Sequence, residues 1–302
     1  MVSLVEQWPR VPPELRWSSW EPLQGAGRSR TLPAEPGLYR IRRRDRPFLD
    51  YLGQTRNSLR GRLAMLKGVH GDVMPYRDPH TAAPALWALR QLEGATFEVS
   101  VVEVQGSVPT RKGLEALAIA AHRQEHGQSP TVSFGRMPQG FRMSSPNNAL
   151  LVSQGKRFRG GPAVGSLACH SPGVPPAGPL EGPVESPSWC GHRWSPWIPL
   201  EEVDARAGSL LDARGLYRIR GVGQQALLYV GEGNIANRLQ VHAKKVLVAG
   251  HAQGVLFAAA ERLECSWVAG SWLDHQRLEL ENDLIAAHVL LTGAPPAAQF
   301  LG

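Results

Sequence analysis

Cysteine is scarce in this chain of 302 residues: Cys169, Cys190 and Cys265 are the whole supply. Three thiols cannot all pair within one chain, so a disulfide framework is excluded and a reducing, cytoplasmic location is expected. Long apolar runs are also missing. The most apolar stretch, Val246 to Ala260, is broken by His251 and Gln253, and a membrane span needs ~18 uninterrupted apolar residues. The opening residues MVSLVEQWPRVPPELRW lack the charged-then-apolar layout of a secretory leader. What is present is ordinary globular material. Apolar residues at 42% and charged residues at 20% exclude wholesale disorder, and the length fits two domains.

Basic residues outnumber acidic ones 33 to 26, a net charge of +7. Residues 1–150 hold 20 basic and 13 acidic side chains, whereas residues 193–302 hold 10 and 11. The excess therefore lies in the first half. A basic surface favours polyanionic partners.

The two halves are related. RWSSWEPL (16–23) returns as RWSPWIPL (193–200), and GLYRIR (37–42) returns unchanged at 215–220. Tyr51-Leu52-Gly53 matches Tyr229-Val230-Gly231, and EVSVV (98–102) matches ECSWV (264–268). LEALAIAAHRQEHGQSPTVSF (114–134) then runs parallel to LENDLIAAHVLLTGAPPAAQF (280–300). Blocks recurring in one order mark an internal duplication. The first copy holds about ten extra residues between Ala64 and Leu92, in a loop rich in Gly, Pro and His. The domains predicted are 14–150 and 190–302, joined by a Gly/Pro-rich linker over 151–189 with no core of its own.

Periodicity predicts the same elements in each copy. GLYRIR, a short turn and the run into YLG or YVG read as a β-hairpin. The segments 58–66 and 234–246 carry helix-spaced apolar residues. The segments 97–104 and 263–270 read as strands, and the LE…IAAH segments as helices ended near Gly127 and Gly293. The expected fold class is α/β: two tandem small domains, each a β-hairpin, helix, strand and helix around a short sheet.

The hairpin brings Tyr39 towards Tyr51, and Tyr217 towards Tyr229. An arginine follows in the next helix, Arg62 or Arg238, and a lone carboxylate, Glu115 or Glu281, sits in an otherwise apolar helix. Paired phenols, a guanidinium and a half-buried carboxylate suit phosphodiester chemistry. The carboxylate holds a divalent cation, the arginine neutralises phosphate and a phenol relays a proton. With these residues in this order twice, the chain resembles the GIY-YIG nuclease family. Its pattern reads here as GLY (37–39), YLG (51–53), Arg62 and Glu115, then GLY (215–217), YVG (229–231), Arg238 and Glu281. The second copy is the fuller match, with His242 four residues past Arg238 and ENDLI at 281–285.

The resemblance implies a metal-dependent endonuclease acting on DNA, duplex DNA first, with no membrane partner. Glu115 and Glu281 would each bind one Mg²⁺ or Mn²⁺. Tyr39 and Tyr217, helped by Tyr51 and Tyr229, would activate or orient the attacking water, and Arg62 and Arg238 would stabilise the transition state. His242 completes the second set. Leu66 stands where the first copy would have its histidine, so His70 or His80 in the inserted loop is the expected substitute. Arg62 is preferred to Arg60 because Arg62-Leu63 matches Arg238-Leu239. Ser133 and Gln299 stand where the family often has asparagine. The two copies could act as a pseudo-dimer, one site per strand, in a restriction or anti-phage setting. The alternative is a nucleic-acid-binding or assembly module in which one copy, the first before the second, no longer cuts.

Arg42, Arg43, Arg44 and Arg46 at the first hairpin tip, with Arg56 and Arg60, are expected to grip the DNA backbone. Lys244 and Lys245 are their candidates in the second copy. The RW-x-x-W leaders are expected to pack apolar surface against each domain, and Cys265 to lie in a core. His122 and His288 are expected to pack rather than catalyse. Cys169-His170 with Cys190-Gly191-His192 fits no strong zinc pattern, so zinc is not expected.

Overall fold

A computed structural model describes residues 15–44, 46–164, 172–203, 210, 212–248 and 250–301. The architecture is mixed α/β, built on small antiparallel sheets. The first sheet holds β1 (Glu21–Pro22), β2 (Gly37–Arg43), β3 (Leu49–Thr55) and β4 (Phe97–Glu103) in the order β1-β4-β2-β3. A short ribbon pairs β5 (Phe141–Arg142) with β6 (Gly161–Pro162). The second sheet holds β7 (Ile198–Pro199), β8 (Arg214–Gly221), β9 (Tyr229–Asn234) and β10 (Leu263–Ala269) in the order β7-β10-β8-β9. The two sheets have one topology, so the duplication read in the sequence extends to strand order.

The hairpins predicted from GLYRIR form as β2–β3 and β8–β9. Tyr39 stands opposite Gly53 and Ile41 opposite Tyr51; Tyr217 stands opposite Gly231 and Ile219 opposite Tyr229. Both motif glycines have a steric reason. A β-carbon at Gly37 or Gly215 would strike the carbonyl of Val102 or Val268 on the neighbouring strand. One at Gly53 would lie 2.7 Å from the Tyr39 hydroxyl, and one at Gly231 would strike the Tyr217 ring.

The edge strands β1 and β7 come from the tryptophan leaders. Ser18 and Ser195 tie the leaders down in the same way: the Val101 N–H donates to Ser18 Oγ at 3.0 Å, and the Trp267 N–H to Ser195 Oγ at 3.0 Å. Arg40 stacks on Trp17 and Trp20 at 4.5 and 4.7 Å, and Arg218 on Trp194 and Trp197 at 4.2 and 4.5 Å. The leaders thus pack on their sheets, clamping one arginine of each GLYRIR between two indoles.

Among the described residues seven α-helices form: α1 (Leu59–Ala64), α2 (Ala83–Glu93), α3 (Val108–His126), α4 (Ala149–Ser153), α5 (Ile235–Lys245), α6 (Ala252–Ala258) and α7 (Asp274–Thr292). Ser58, Ser107 and Asn234 cap α1, α3 and α5 by accepting the backbone N–H three residues on. The long helices stop at Gly127 and Gly293, whose φ values of 70° and 77° admit glycine without strain. α2 and α6 lie in segments where no helix was predicted; α2 buries Leu86, Trp87 and Leu89 in the core beneath the first sheet.

The chain divides into two compact units. The first comprises Glu14–Gly106 with Ser129–Pro172; the second joins Ser107–Gln128 to Gly173–Gly302. These do not follow the sequence spans 14–150 and 190–302, because α3 packs on α7. Ala116, Leu117 and Ala120 share a core cluster with Leu280 and Leu284. Arg123 reaches Asp283 with two hydrogen bonds of 2.8 and 3.0 Å, and its guanidinium lies 3.5 Å from Glu279. The segment read as a linker is not bare connection either. Leu180 and Val184 are buried in that same cluster, and Gly161–Pro162 is a paired strand. Among the described residues no helix is long and apolar enough to cross a membrane.

Candidate active site

In the second unit, β8, β9 and α5 bring three predicted side chains to one place. The Tyr217 and Tyr229 rings stack with centroids 6.1 Å apart and planes 18° apart. His242 lies 4.4 Å from the Tyr229 ring centroid, and its Nε2 is 3.0 Å from the Tyr217 hydroxyl. Strand alternation puts the two tyrosines on one face, and the turn of α5 after Asn234 aims His242 at them. Arg238, one helical turn earlier, is exposed and makes no hydrogen bond or ion pair among the described residues. Its guanidinium is nonetheless in the field of Tyr217, Tyr229 and Glu281.

Glu281 on α7 joins this group electrostatically. Burial, then the neighbouring carboxylate of Glu232, push Glu281 up to about 8 against the pull of Arg238. Glu232 itself is engaged by Arg277 at 2.8 Å. Burial pushes Tyr217 well up, with Tyr229 and Glu281 adding to it, and lifts Tyr229 to about 12. Burial holds His242 down at about 3, so it is neutral.

A divalent cation fits Glu281. The carboxylate is half-buried, has no hydrogen-bond or ion-pair partner among the described residues, and is pushed up to about 8, so a cation beside it would favour its ionised form. Magnesium commonly takes one or two protein carboxylates and completes its shell with water and phosphate oxygens. Among the described residues no group of three or more His, Cys, Asp or Glu gathers as a ligand cage.

The first unit assembles the same rings from a different sequence position. Tyr39 and Tyr51 lie 6.0 Å apart, and His80 sits 5.8 Å from one and 5.5 Å from the other. His80 Nε2 is 2.8 Å from the Tyr39 hydroxyl. Of the two histidines expected to substitute, His80 does so; His70 lines a cavity of about 700 Å³ with Trp20, Arg44 and Arg90. The Ala82 N–H donates to His80 Nδ1 at 3.2 Å, so the proton resides on Nε2, and Nε2–H donates to the Tyr39 oxygen. Arg62 Nε also donates there at 3.4 Å, while its Nη1 donates to the Pro79 carbonyl at 2.9 Å. One loop, Pro79 to Ala82, therefore orients both the arginine and the tyrosine. Arg62 rather than Arg60 reaches the phenol. Glu115 lies on α3 in the other compact unit and is not among the residues that the first unit itself brings together.

The hairpin-tip arginines are engaged with carboxylates. Arg42 pairs with Glu98 at 3.1 Å, Arg43 with Asp50 at 3.0 Å and Glu93 at 2.7 Å, Arg44 with Glu98 at 3.8 Å and Arg46 with Glu93 at 3.2 Å. Arg56 instead lines a cavity of about 330 Å³ together with Arg62, Asn57 and Gln54, and Arg60 is half-buried. Lys244 is exposed, whereas Lys245 donates to Gln253 at 2.5 Å.

His288 is a packing residue. It accepts the Leu227 N–H at 3.0 Å and donates to the Ala294 carbonyl at 2.8 Å. His122 is buried beside His126, with ring centroids 4.4 Å apart. Gln299 holds β9 in place by accepting the Val230 N–H at 2.9 Å, and Ser133 is buried. Cys190, Cys265 and His192 are buried, the two cysteines as free thiols; Cys169 and His170 lie outside the described residues.

Compared with protein-family models, curated proteins and solved structures, the chain matches none of them.

Proposed function

We propose that the chain is a GIY-YIG-type endonuclease that hydrolyses DNA phosphodiesters at two sites, one in each copy. The observation that carries this is the second-unit cluster. Two phenols, a neutral histidine, an uncommitted arginine and a half-buried carboxylate share one electrostatic neighbourhood. In this reading Glu281 and Glu115 hold the cation, which when bound supplies a Lewis acid for the scissile phosphate. Tyr217 orients the attacking water, and His242 holds the phenol through its hydroxyl. Arg238 meets the developing charge on phosphate from the solvent side. Tyr39, His80 and Arg62 perform the same tasks in the first copy, where two N–H donors meet the Tyr39 oxygen.

The test is cleavage of supercoiled plasmid with Mg²⁺ or Mn²⁺. Glu115→Gln and Glu281→Gln should each leave nicked circles, and the double variant should leave the substrate intact. A single variant with wild-type linearisation beside an inert one would remove the two-site reading. The absence of metal-dependent ends from the unaltered protein would remove the nuclease reading altogether.

A further inference from the structure

Between Glu125 and Glu181 the chain contains no acidic residue, yet it carries Arg136, Arg142, Lys156, Arg157 and Arg159. Arg142, Lys156, Arg157 and Arg159 are exposed. They lie on the β5–β6 ribbon and the segment leading into it, an appendage to the first copy beyond its last repeated block. Unlike the hairpin-tip arginines, these four meet no carboxylate within ion-pair distance among the described residues.

Aromatic rings and neutral oxygens hold them instead. Arg157 and Arg159 both stack on Tyr76, at 4.6 and 4.4 Å, and Arg142 stacks on Phe158 at 4.1 Å. Arg157 donates to Asn147 Oδ1 at 2.8 Å, and Arg159 to the Met74 carbonyl at 2.9 Å. A guanidinium offers five N–H donors, so each is oriented at the expense of one and keeps the rest for an outside acceptor. Tyr76 belongs to the loop that delivers His80 to Tyr39 four residues later.

We infer that this appendage, built on Arg142, Arg157, Arg159 and Tyr76, is a docking surface for the phosphate backbone of duplex DNA beside the first copy's tyrosine site. The inference rests on the nuclease reading for the identity of its polyanion. Oriented guanidinium forks match phosphate oxygens, and the one carboxylate bonded beside them, Asp78, is engaged by the Asn147 N–H at 3.2 Å rather than by these arginines. A membrane is the poorer fit, because α4, which carries exposed Leu150 and Val152, is only five residues long.

The experiment measures binding apart from cleavage. The Glu115→Gln/Glu281→Gln protein is titrated with a fluorescent 30-base-pair duplex from 50 to 200 mM salt. The same is done after adding Arg142→Gln/Arg157→Gln/Arg159→Gln, and after the charge-matched set Arg193→Gln/Arg214→Gln/Arg262→Gln. Each phosphate contact contributes about 0.9 to the slope of log affinity against log salt. The appendage set should lower that slope by about 2 to 3 and weaken binding at least about tenfold at 150 mM; the matched set should do neither. Equal slopes for both sets would overturn the docking surface and leave the nuclease reading intact. A lowered slope in a protein that never cuts would keep the surface and remove the nuclease reading. No duplex binding by the parent, or binding of phosphatidylserine vesicles that the appendage set abolishes, would overturn the surface.

Discussion

The two copies reach one ring cluster by different routes. In the second, the histidine is built into the helix that supplies the arginine, His242 one turn after Arg238. In the first, that helix is only Leu59–Ala64, Leu66 is buried in the core, and His80 arrives from the inserted loop to take the same bond to the tyrosine. The position in space is held while the position in sequence is not. The consequences differ as well. The backbone around His80 fixes its tautomer and clamps Arg62, whereas His242 Nδ1 has no hydrogen-bond partner among the described residues and Arg238 points to solvent. The first copy's tyrosine oxygen therefore meets two N–H donors of fixed direction, although the second copy is the closer match in sequence.

The largest effect expected from that difference is on strand cleavage. With the other site silenced by its Glu→Gln change, His80→Ala and His242→Ala should each slow nicking by about 10² to 10⁴. The tautomer argument sharpens this. His80→Gln, whose amide N–H can still donate to Tyr39, should recover more rate than His242→Gln recovers in the second copy. Equal recovery, measured as nicking rate against pH, would break the asymmetry.

A second contrast lies within the α3–α7 helix pair. Asn282 donates to the Ala116 carbonyl at 3.1 Å, and these two positions are equivalent in the duplication. On one side of that contact Arg123 meets Glu279 and Asp283; at the equivalent positions on the other side, Gly113 lies against Val289. Breaking a buried ion pair strands the remaining charges, at about 3–5 kcal/mol, whereas removing two buried methyl groups costs about 2 kcal/mol. Arg123→Ala should therefore lower the urea midpoint clearly more than Val289→Ala. The reverse order would place the strength of this packing in the apolar side.

Much of this was legible in the residues. GLYRIR followed by YLG or YVG encodes a hairpin through its alternation, and a repeated Tyr-x-Gly places the rings without further help. What was not legible depends on partners far away in sequence. Nothing local tells that Arg43 finds Asp50 and Glu93, so a run of four arginines with one aspartate read as a free cationic tip. The useful cations near Tyr76 were hidden in a segment whose glycines and prolines read as linker. Strands β1 and β7 are two residues each, too short for any period. The choice between His70 and His80 turned on loop geometry. Arg123 gave no sign of its acidic partners about 160 residues on, and with them α3 changed units.

The smallest expected effect is also the most specific to one copy. Glu281 is held at about 8, far above the ordinary carboxylate range, because its ionised form is half-buried near Glu232. Between the unfolded value of ~4.3 and about 8, folded Glu281 binds a proton that the unfolded chain has released, so its contribution to metal-free stability, read as the difference from Glu281→Gln, should fall as pH rises through that window. The same proton competes with the cation. In the Glu115→Gln protein, apparent Mg²⁺ affinity should therefore climb about tenfold per pH unit up to about 8 and then level off. Glu232→Gln removes the repelling charge and should move the plateau to lower pH, while Glu281→Gln should remove the Glu281 share of the stability slope and abolish the metal dependence. A plateau already reached at pH 6 would mean that Arg238 outweighs Glu232, and the second site would then be primed for its cation at neutral pH without relief of any repulsion.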